Sequence, residues 1–200
     1  MSKLRRPFLY DRYIFVTVNL RSSRSAGPAV RPCGYSSGAG SCRAAQGASR
    51  WKNRNAGKRA LRYIPLARMR QKQGFVLTAW VFLPDHWRAI IYPPHPLSIA
   101  KAMSAIKISS MVAINHGRHE KGELWQERFF DHALRTVKDY GDTAEYIHMN
   151  PVRRGLVKRP EEWKWSSIPE YAGVDAAEQQ GRCGLIIDRV RLPADENARI

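Results

Sequence analysis

Two apolar runs separated by a Pro-Asp pair constrain the fold of this chain more than any other feature. Residues 75–83 are almost continuously apolar, which is typical of a buried central strand. The β-branched and aromatic residues of 86–92 follow the break and predict a second strand. The short break predicts an antiparallel hairpin. Because side chains alternate along a strand, His86 and Arg88 should share one face of it.

Further segments surround this hairpin in a consistent order. Residues 13–19 are β-branched and aromatic and predict a first strand. Helical spacing over 60–73 predicts a helix that Pro65 limits to a bent or short one, spacing after the capping residue Ser98 predicts a second helix, and 129–134 predicts a last strand. The order β-α-β-β-α-β indicates an α+β, ferredoxin-like antiparallel sheet with helices on one face, followed by a C-terminal tyrosine-bearing helix.

The terminal helix carries clear start and stop signals. Thr136 followed by Asp139 has the spacing of a capping box. Pro151 disfavours helical backbone at the residue before it, so the helix should run from about 137 to 149.

One stripe of this helix predicts its buried face, formed by Val137, Tyr140, Ala144 and Ile147. Tyr146 and Asn150 lie off that stripe and one turn apart, where side chains are neighbours. A phenol beside an amide oxygen could serve as a nucleophile and a metal ligand. The same pair is also compatible with an exposed tyrosine and an asparagine that ends a helix before proline.

Charge is unevenly spread along the 200 residues, whose net charge is +17. Such a charge usually indicates a polyanionic partner, most often nucleic acid. Residues 1–70 hold 16 Lys and Arg and one acidic residue, whereas residues 71–200 hold 18 and 16. A local basic group follows the terminal helix and favours DNA contact over an ordinary solvated surface: Arg153, Arg154, Lys158 and Arg159.

Residues 22–57 are rich in Ser, Gly, Ala and Arg and show no strand or helix period, so we expect a disordered or degenerate insert. The alternative is a basic arm that folds on nucleic acid. The insert interrupts one expected domain, residues 1–172. A loosely ordered tail, 173–200, follows, in which residues 185–187 are candidates for a short strand.

The composition also limits the cellular setting. The three cysteines lack the spacing of a metal knuckle or a disulfide framework. We see no signal peptide and no apolar run of the roughly 18 residues that a membrane span needs. These features favour a cytoplasmic, nucleoid-associated protein without a membrane partner.

Three motifs in order carry a family resemblance, and a fourth closes it: AWVFLPDH at 79–86, LWQERFF at 124–130, EYIHMNPVRRGLV at 145–157, and WKWSS at 163–167. On these motifs the chain resembles the REP-associated tyrosine transposases, a branch of the HUH single-tyrosine transposases. The resemblance covers about residues 1–20 and 60–172. It implies a single-stranded or hairpin DNA partner formed from a palindromic repeat, and a monomer or a homodimer.

The resemblance also implies a reaction. Carried over by position, Tyr146 is the nucleophile, and His86 and Asn150 are ligands of Mg²⁺ or Mn²⁺. The ion would polarise the scissile phosphate. Attack by the tyrosine oxygen then gives a covalent 5′-phosphotyrosine and a free 3′-OH.

One residue departs from the family pattern, because Arg88 stands where the second histidine of the His-x-His pair belongs. A guanidinium has no lone pair for a metal and stays protonated, so we expect metal binding to be impaired or absent. Arg88 could instead contact the phosphate itself. His95, His132 and His148 are possible substitute ligands, although His95 lies beyond the strand and His148 on the core side of the helix.

Three functions remain open on the sequence. The first is a transposase-like protein that binds hairpin DNA and, if active, cleaves and rejoins it through the phosphotyrosine. The second is a non-catalytic hairpin-DNA-binding module. The third is a basic RNA-binding protein on the same scaffold.

Overall fold

The structure, a computed structural model, describes residues 11–21, 56–119, 121–173 and 185–200, with the backbone alone for 56–64 and 118. In these ranges the strands and helices alternate as the sequence predicts. They are β1 (Ile14–Asn19), α1 (Ala56–Gln73), β2 (Val76–Phe82), β3 (His86–Tyr92), α2 (Ile99–Arg118), β4 (Phe130–Ala133), α3 (Val137–Arg153), a 3₁₀ turn (Pro160–Glu162) and α4 (Ile168–Tyr171).

The four strands form one sheet in the order β2-β3-β1-β4, and all neighbours run antiparallel. β1 and β2 therefore run parallel with β3 between them, as do β3 and β4 with β1 between them. Each of these parallel pairs is connected through a helix. The predicted hairpin is present, with Phe82 opposite Trp87. This arrangement confirms the ferredoxin-like prediction.

The two faces of the sheet differ in their side chains. On one face Trp80, Phe82 and Trp87 pack ring against ring, with centroids 5.6 and 5.8 Å apart. All three are buried and belong to the core. The other face carries His86 and Arg88, and α3 packs over its β2 and β3 strands. This second face also carries buried apolar side chains, so the polar residues of the site lie at its edge beside a second apolar layer.

α1 is longer than predicted. It begins at Ala56 rather than at residue 60 and passes through Pro65 without ending. Pro65 and Leu66 are buried, and the helix packs against α2, so tertiary packing outweighs the cost of the proline. Gly74 ends the helix with a positive φ of 73° and donates its N–H to the Arg70 carbonyl. The predicted insert 22–57 lies outside the described residues as far as 55, and its last two residues belong to α1.

α3 starts where the sequence predicts and ends later. Thr136 Oγ1 accepts a hydrogen bond from the Asp139 N–H at 3.1 Å, while the Asp139 carboxylate reaches back to the N–H of Arg135 rather than of Thr136. The predicted end near residue 149 is wrong, because Pro151 lies inside the helix. Pro151 is buried, and its carbonyl accepts from the Leu156 N–H at 2.9 Å, so the last turn closes around it.

Residues after α3 cover the outer edge of β2. The Phe82 N–H donates to the Trp165 carbonyl at 2.9 Å, and the Ser167 N–H donates to the Trp80 carbonyl at 3.0 Å. These hydrogen bonds give partners to backbone groups of β2 that an edge strand would otherwise expose unpaired.

The C-terminal residues 185–200 also contact the folded core. The Asp188 N–H donates to the Leu77 carbonyl at 2.8 Å, and its carboxylate pairs with Arg70. The predicted strand at 185–187 is wrong, since these residues form no strand; the Ile186 carbonyl accepts from Arg70 and the Ile187 N–H donates to the Glu170 carboxylate instead. The division into one domain and a loose tail stays a prediction. In the described part of the chain, no helix has the length and apolarity needed to cross a membrane.

Candidate functional site

His86 opens β3 directly after the hairpin turn and is 3% exposed. Its Nδ1 lies 2.8 Å from Asp85 Oδ1, so the carboxylate accepts a hydrogen bond from that nitrogen. This bond fixes the ring tautomer and leaves the Nε2 lone pair as an acceptor. A carboxylate behind a histidine is the usual arrangement for a histidine that ligates a metal through its other nitrogen.

Arg88 is the hydrogen-bond donor to His86 Nε2. Its Nε–H donates to His86 Nε2 at 3.1 Å, which places both side chains on one face as the strand alternation predicts. Burial lowers the pKa of His86, and the charges of Arg154 and Arg88 add to this effect, while Asp85 opposes it. The ring is therefore neutral near neutral pH, as its role as an acceptor requires.

Tyr146 lies against the same group. Its ring centroid is 4.6 Å from the Arg88 guanidinium carbon and 5.2 Å from that of Arg153, and the Phe15 ring meets it edge-on at 6.2 Å. The side chain is half-buried. The prediction that Tyr146 points off the packed side of the helix is wrong. α3 is covered on two sides, by the sheet, which Tyr146 meets, and by the residues that follow α3. Tyr146 and His86 are thus joined through Arg88.

Asn150 lies one turn after Tyr146 and is 5% exposed. Its Nδ2 donates to the Tyr146 carbonyl at 3.0 Å, which leaves the amide oxygen as the atom able to bind a cation. The predicted position off the buried face is wrong for Asn150 as well. Its role as a ligand stays a prediction.

The residues around His86 do not fit a divalent ion. The nitrogen that would bind the ion accepts from a permanent cation, and among the described residues no group of three His, Cys, Asp or Glu could hold a metal. The substitute histidines do not join the site. His148 is buried and bound to Ser167 Oγ at 2.8 Å, and His95 is exposed beyond β3. His132 lies on β4 opposite Phe15, near Asp139.

Asp85 ties the site to the end of α3. Both of its carboxylate oxygens accept from the Arg154 guanidinium, at 2.8 and 2.9 Å. Burial would raise the pKa of Asp85, but hydrogen bonds and charges from His86 and Arg154 together hold it well below its usual value. The carboxylate is therefore ionised across the physiological range, and a chain of contacts runs from Arg154 through Asp85 and His86 to Arg88.

The basic group after α3 is exposed but partly paired. Arg154 is held by Asp85, and Arg159 Nε lies 3.4 Å from Glu162 Oε1. Arg153 lies over the Tyr146 ring. These contacts leave Arg153 nearest to the tyrosine and reduce the free charge of its neighbours.

Comparison with known proteins shows which proteins the chain resembles. The family model described as IS200-like transposase matches residues 52–150. A curated REP-associated tyrosine transposase of Escherichia coli (strain K12) is 32% identical over 104 residues, which are 52% of this chain and 60% of that relative. A solved structure of a REP-associated tyrosine transposase bound to a REP hairpin matches all of this chain and 99% of that one, with a TM-score of 0.58 and 25% identity. The chain is similar in sequence and in fold to REP-associated tyrosine transposases.

The match to this family is partial in sequence and complete in fold. A second curated relative, from Haemophilus influenzae, is 36% identical over 54 residues and 31% of its own length. Both curated relatives are therefore matched over less than two thirds of their length. The family model covers His86, Arg88, Tyr146 and Asn150 but ends before the basic group at Arg153.

One contact of the site does not follow from the sequence. Arg154, predicted as a DNA contact, forms an ion pair with Asp85. The placement of Asp85 immediately before a candidate metal ligand is a signal for a supporting carboxylate. The partner on α3, 69 residues away, leaves no local signal.

Proposed function

We propose that this chain binds single-stranded DNA that folds into a hairpin, and that its tyrosine face is the binding face. Support comes from the likeness to a relative bound to a REP hairpin and from the arginines around Tyr146. Guanidinium groups bind phosphate oxygens through paired N–H donors. Arg88 and Arg153 would hold the phosphate nearest the tyrosine, with Arg154, Lys158 and Arg159 following the strand away from it.

The proposed chemistry uses Tyr146 as the nucleophile. Its oxygen would form a bond to phosphorus while the bond from phosphorus to the 3′ oxygen breaks. The products are a 5′-phosphotyrosine and a DNA end whose 3′ oxygen takes up a proton. A phenol has a pKa of about 10 and is a weak nucleophile at neutral pH, so this step needs strong stabilisation of charge at the phosphate.

Family members depend on a divalent ion in general, and this chain is poorly equipped to bind one. The single observation that carries the proposal of impaired metal binding is the hydrogen bond from Arg88 Nε to His86 Nε2. To bind an ion through His86, the chain would have to break that bond and bring a second positive charge beside a guanidinium. We infer that binding of Mg²⁺ or Mn²⁺ is impaired. The protein would then bind hairpin DNA while cleaving it slowly or not at all.

A covalent-adduct assay tests this proposal. Hairpin DNA with single-stranded flanks, labelled at its 5′ or its 3′ end in separate samples, is incubated with Mn²⁺ or Mg²⁺ or with a chelator. Adducts are resolved on a denaturing gel. Wild type should bind the DNA yet give little adduct. Arg88→His should raise the yield at least tenfold, only with the ion present, since even an outer-shell change alters metal affinity by 10–100-fold.

The double variant Arg88→His with Tyr146→Phe is the matched control and should give no adduct. If wild type formed as much ion-dependent adduct as Arg88→His, the inference about the metal would be wrong. If the adduct survived Tyr146→Phe, the assigned nucleophile would be wrong.

A further inference from the structure

Phe130 is an exposed aromatic ring on the sheet face that carries the site. It opens β4, the edge strand, and is 56% exposed. Phe130 pairs with Thr17 on β1, and Thr17 pairs with Arg88 on β3. Directly paired residues of neighbouring strands point to the same face. Two strand spacings, roughly 10 Å, therefore separate the Phe130 and Arg88 backbones on one surface.

An aromatic chain links this ring to the tyrosine. The Phe15 ring lies edge-on to both, 6.1 Å from Phe130 and 6.2 Å from Tyr146. α3 covers this face over β2 and β3, which lie toward the sheet edge opposite β4. The ring of Phe130 is therefore left open to solvent beside the covered tyrosine.

The segment that leads into Phe130 is held in place. Lys107 Nζ donates to the carbonyls of Gln126 and Glu127 at 2.6 and 2.7 Å. The Gln126 N–H donates to the Asn19 carbonyl at 3.0 Å. A ligand that met the Phe130 ring would find it already positioned, which reduces the entropy lost on binding.

A single exposed apolar side chain is ordinary by itself. What distinguishes Phe130 is its charged neighbourhood, since Arg88 and Arg153 bracket Tyr146 on the same face. An aromatic platform beside a row of cations is the arrangement with which proteins bind unpaired nucleic-acid strands, by stacking bases and contacting phosphates. Ile108 and Val112 on α2 are equally exposed but aliphatic, so they offer no aromatic ring on which a base could stack.

We propose that Phe130 is a base-stacking platform for an unpaired nucleotide, placed one step along the strand from the phosphate that Arg88 and Arg153 hold. The inference rests on the proposed function and deepens it. It assigns recognition of the single-stranded flank of the hairpin to the β4 edge.

Binding of a fluorescein-labelled hairpin with unpaired flanks, measured by anisotropy, tests the platform. Phe130→Ala should weaken binding about fivefold or more, the usual range for loss of one stacked base. Phe130→Trp should keep wild-type affinity, and Val112→Ala, a matched exposed apolar residue on α2, should have no effect. Thermal unfolding of each variant confirms that the fold is retained. Equal affinity of Phe130→Ala and wild type would overturn the inference.

A base-deletion series locates the contact. Oligonucleotides with one abasic position each are measured against wild type and Phe130→Ala. One flank position should weaken wild type and leave Phe130→Ala unchanged, because the variant has already lost that contact. If every abasic position weakens both proteins equally, Phe130 stacks on no base.

An unstructured DNA strand separates the two proposals. Phe130-dependent binding of this strand without hairpin preference would retain the platform and refute hairpin recognition. Failure to bind either probe would overturn both. Equal binding of an RNA copy would refute the assignment to DNA.

Discussion

His86 and His148 are buried to the same degree, with 3% and 4% of their surface exposed, yet they lie in regions of opposite character. Around His86 the neighbours are charged, since Asp85 accepts from one ring nitrogen and Arg88 donates to the other. Around His148 they are neutral. Ser167 Oγ lies 2.8 Å from Nε2, and the Tyr171 ring meets the imidazole edge-on at 4.7 Å.

The comparison separates two uses of one residue type. His148 joins α3 to residues 163–167, which cover the outer edge of β2. Its partner Ser167 also donates its N–H to the Trp80 carbonyl. His86 lies between charged residues, in a chain of hydrogen bonds and ion pairs that reaches solvent through Arg154. Burial alone therefore does not identify a functional histidine. The charged groups that face the two ring nitrogens distinguish His86 from His148, and they are why the proposed site is built on His86.

The largest expected effect is on stability. His148→Ala should lower the free energy of unfolding by about 3 kcal/mol, because it leaves a cavity and removes a buried hydrogen bond. His86→Ala leaves a similar cavity but should cost less, about 2 kcal/mol, since Asp85 keeps its bond to Arg154 and the half-buried Arg88 can reach water. Urea denaturation at pH 7.5 measures both. An equal cost for the two would break the distinction between a structural and a functional histidine.

A smaller effect is expected from pH. Burial lowers the pKa of His148 to about 4, below its ordinary value of 6.5. The unfolded chain thus binds a proton that the folded chain does not, so stability falls as pH drops from about 6.5 toward 4. The loss between pH 7.5 and pH 5 should be about 2 kcal/mol.

The matched variant for this effect is His148→Gln, which can still bond to Ser167 but does not titrate. Urea midpoints of this variant should fall less between the same two pH values. A remainder is expected, because the pKa of His86 is also lowered, by burial and by its neighbouring arginines. If the variant lost stability as steeply as wild type, His148 would not be the group responsible.

Local patterns predicted the elements and the shared face of His86 and Arg88, because alternation and spacing depend only on nearby residues. The strand order could also be predicted, since the order of strands and helices along the chain restricts the topology. The position of Asn150 could not, because a helical stripe shows one buried side while α3 is covered on two. The pairing of Asp85 with Arg154 was equally hidden, since it joins residues that only the folded sheet brings together.

The smallest expected effect concerns the arginines near the charged histidine site and is a change in the salt dependence of DNA binding. Arg153→Gln should reduce the salt dependence of DNA binding, lowering the slope of log affinity against log salt by about 0.7, the value for one phosphate contact on a single strand. Arg159→Gln should change the slope less, because its Nε already lies 3.4 Å from Glu162. His148→Gln should leave the slope unchanged. Equal changes for the two arginines would mean that the basic group acts as diffuse charge, and that contact with the Tyr146 ring gives Arg153 no special place at the phosphate.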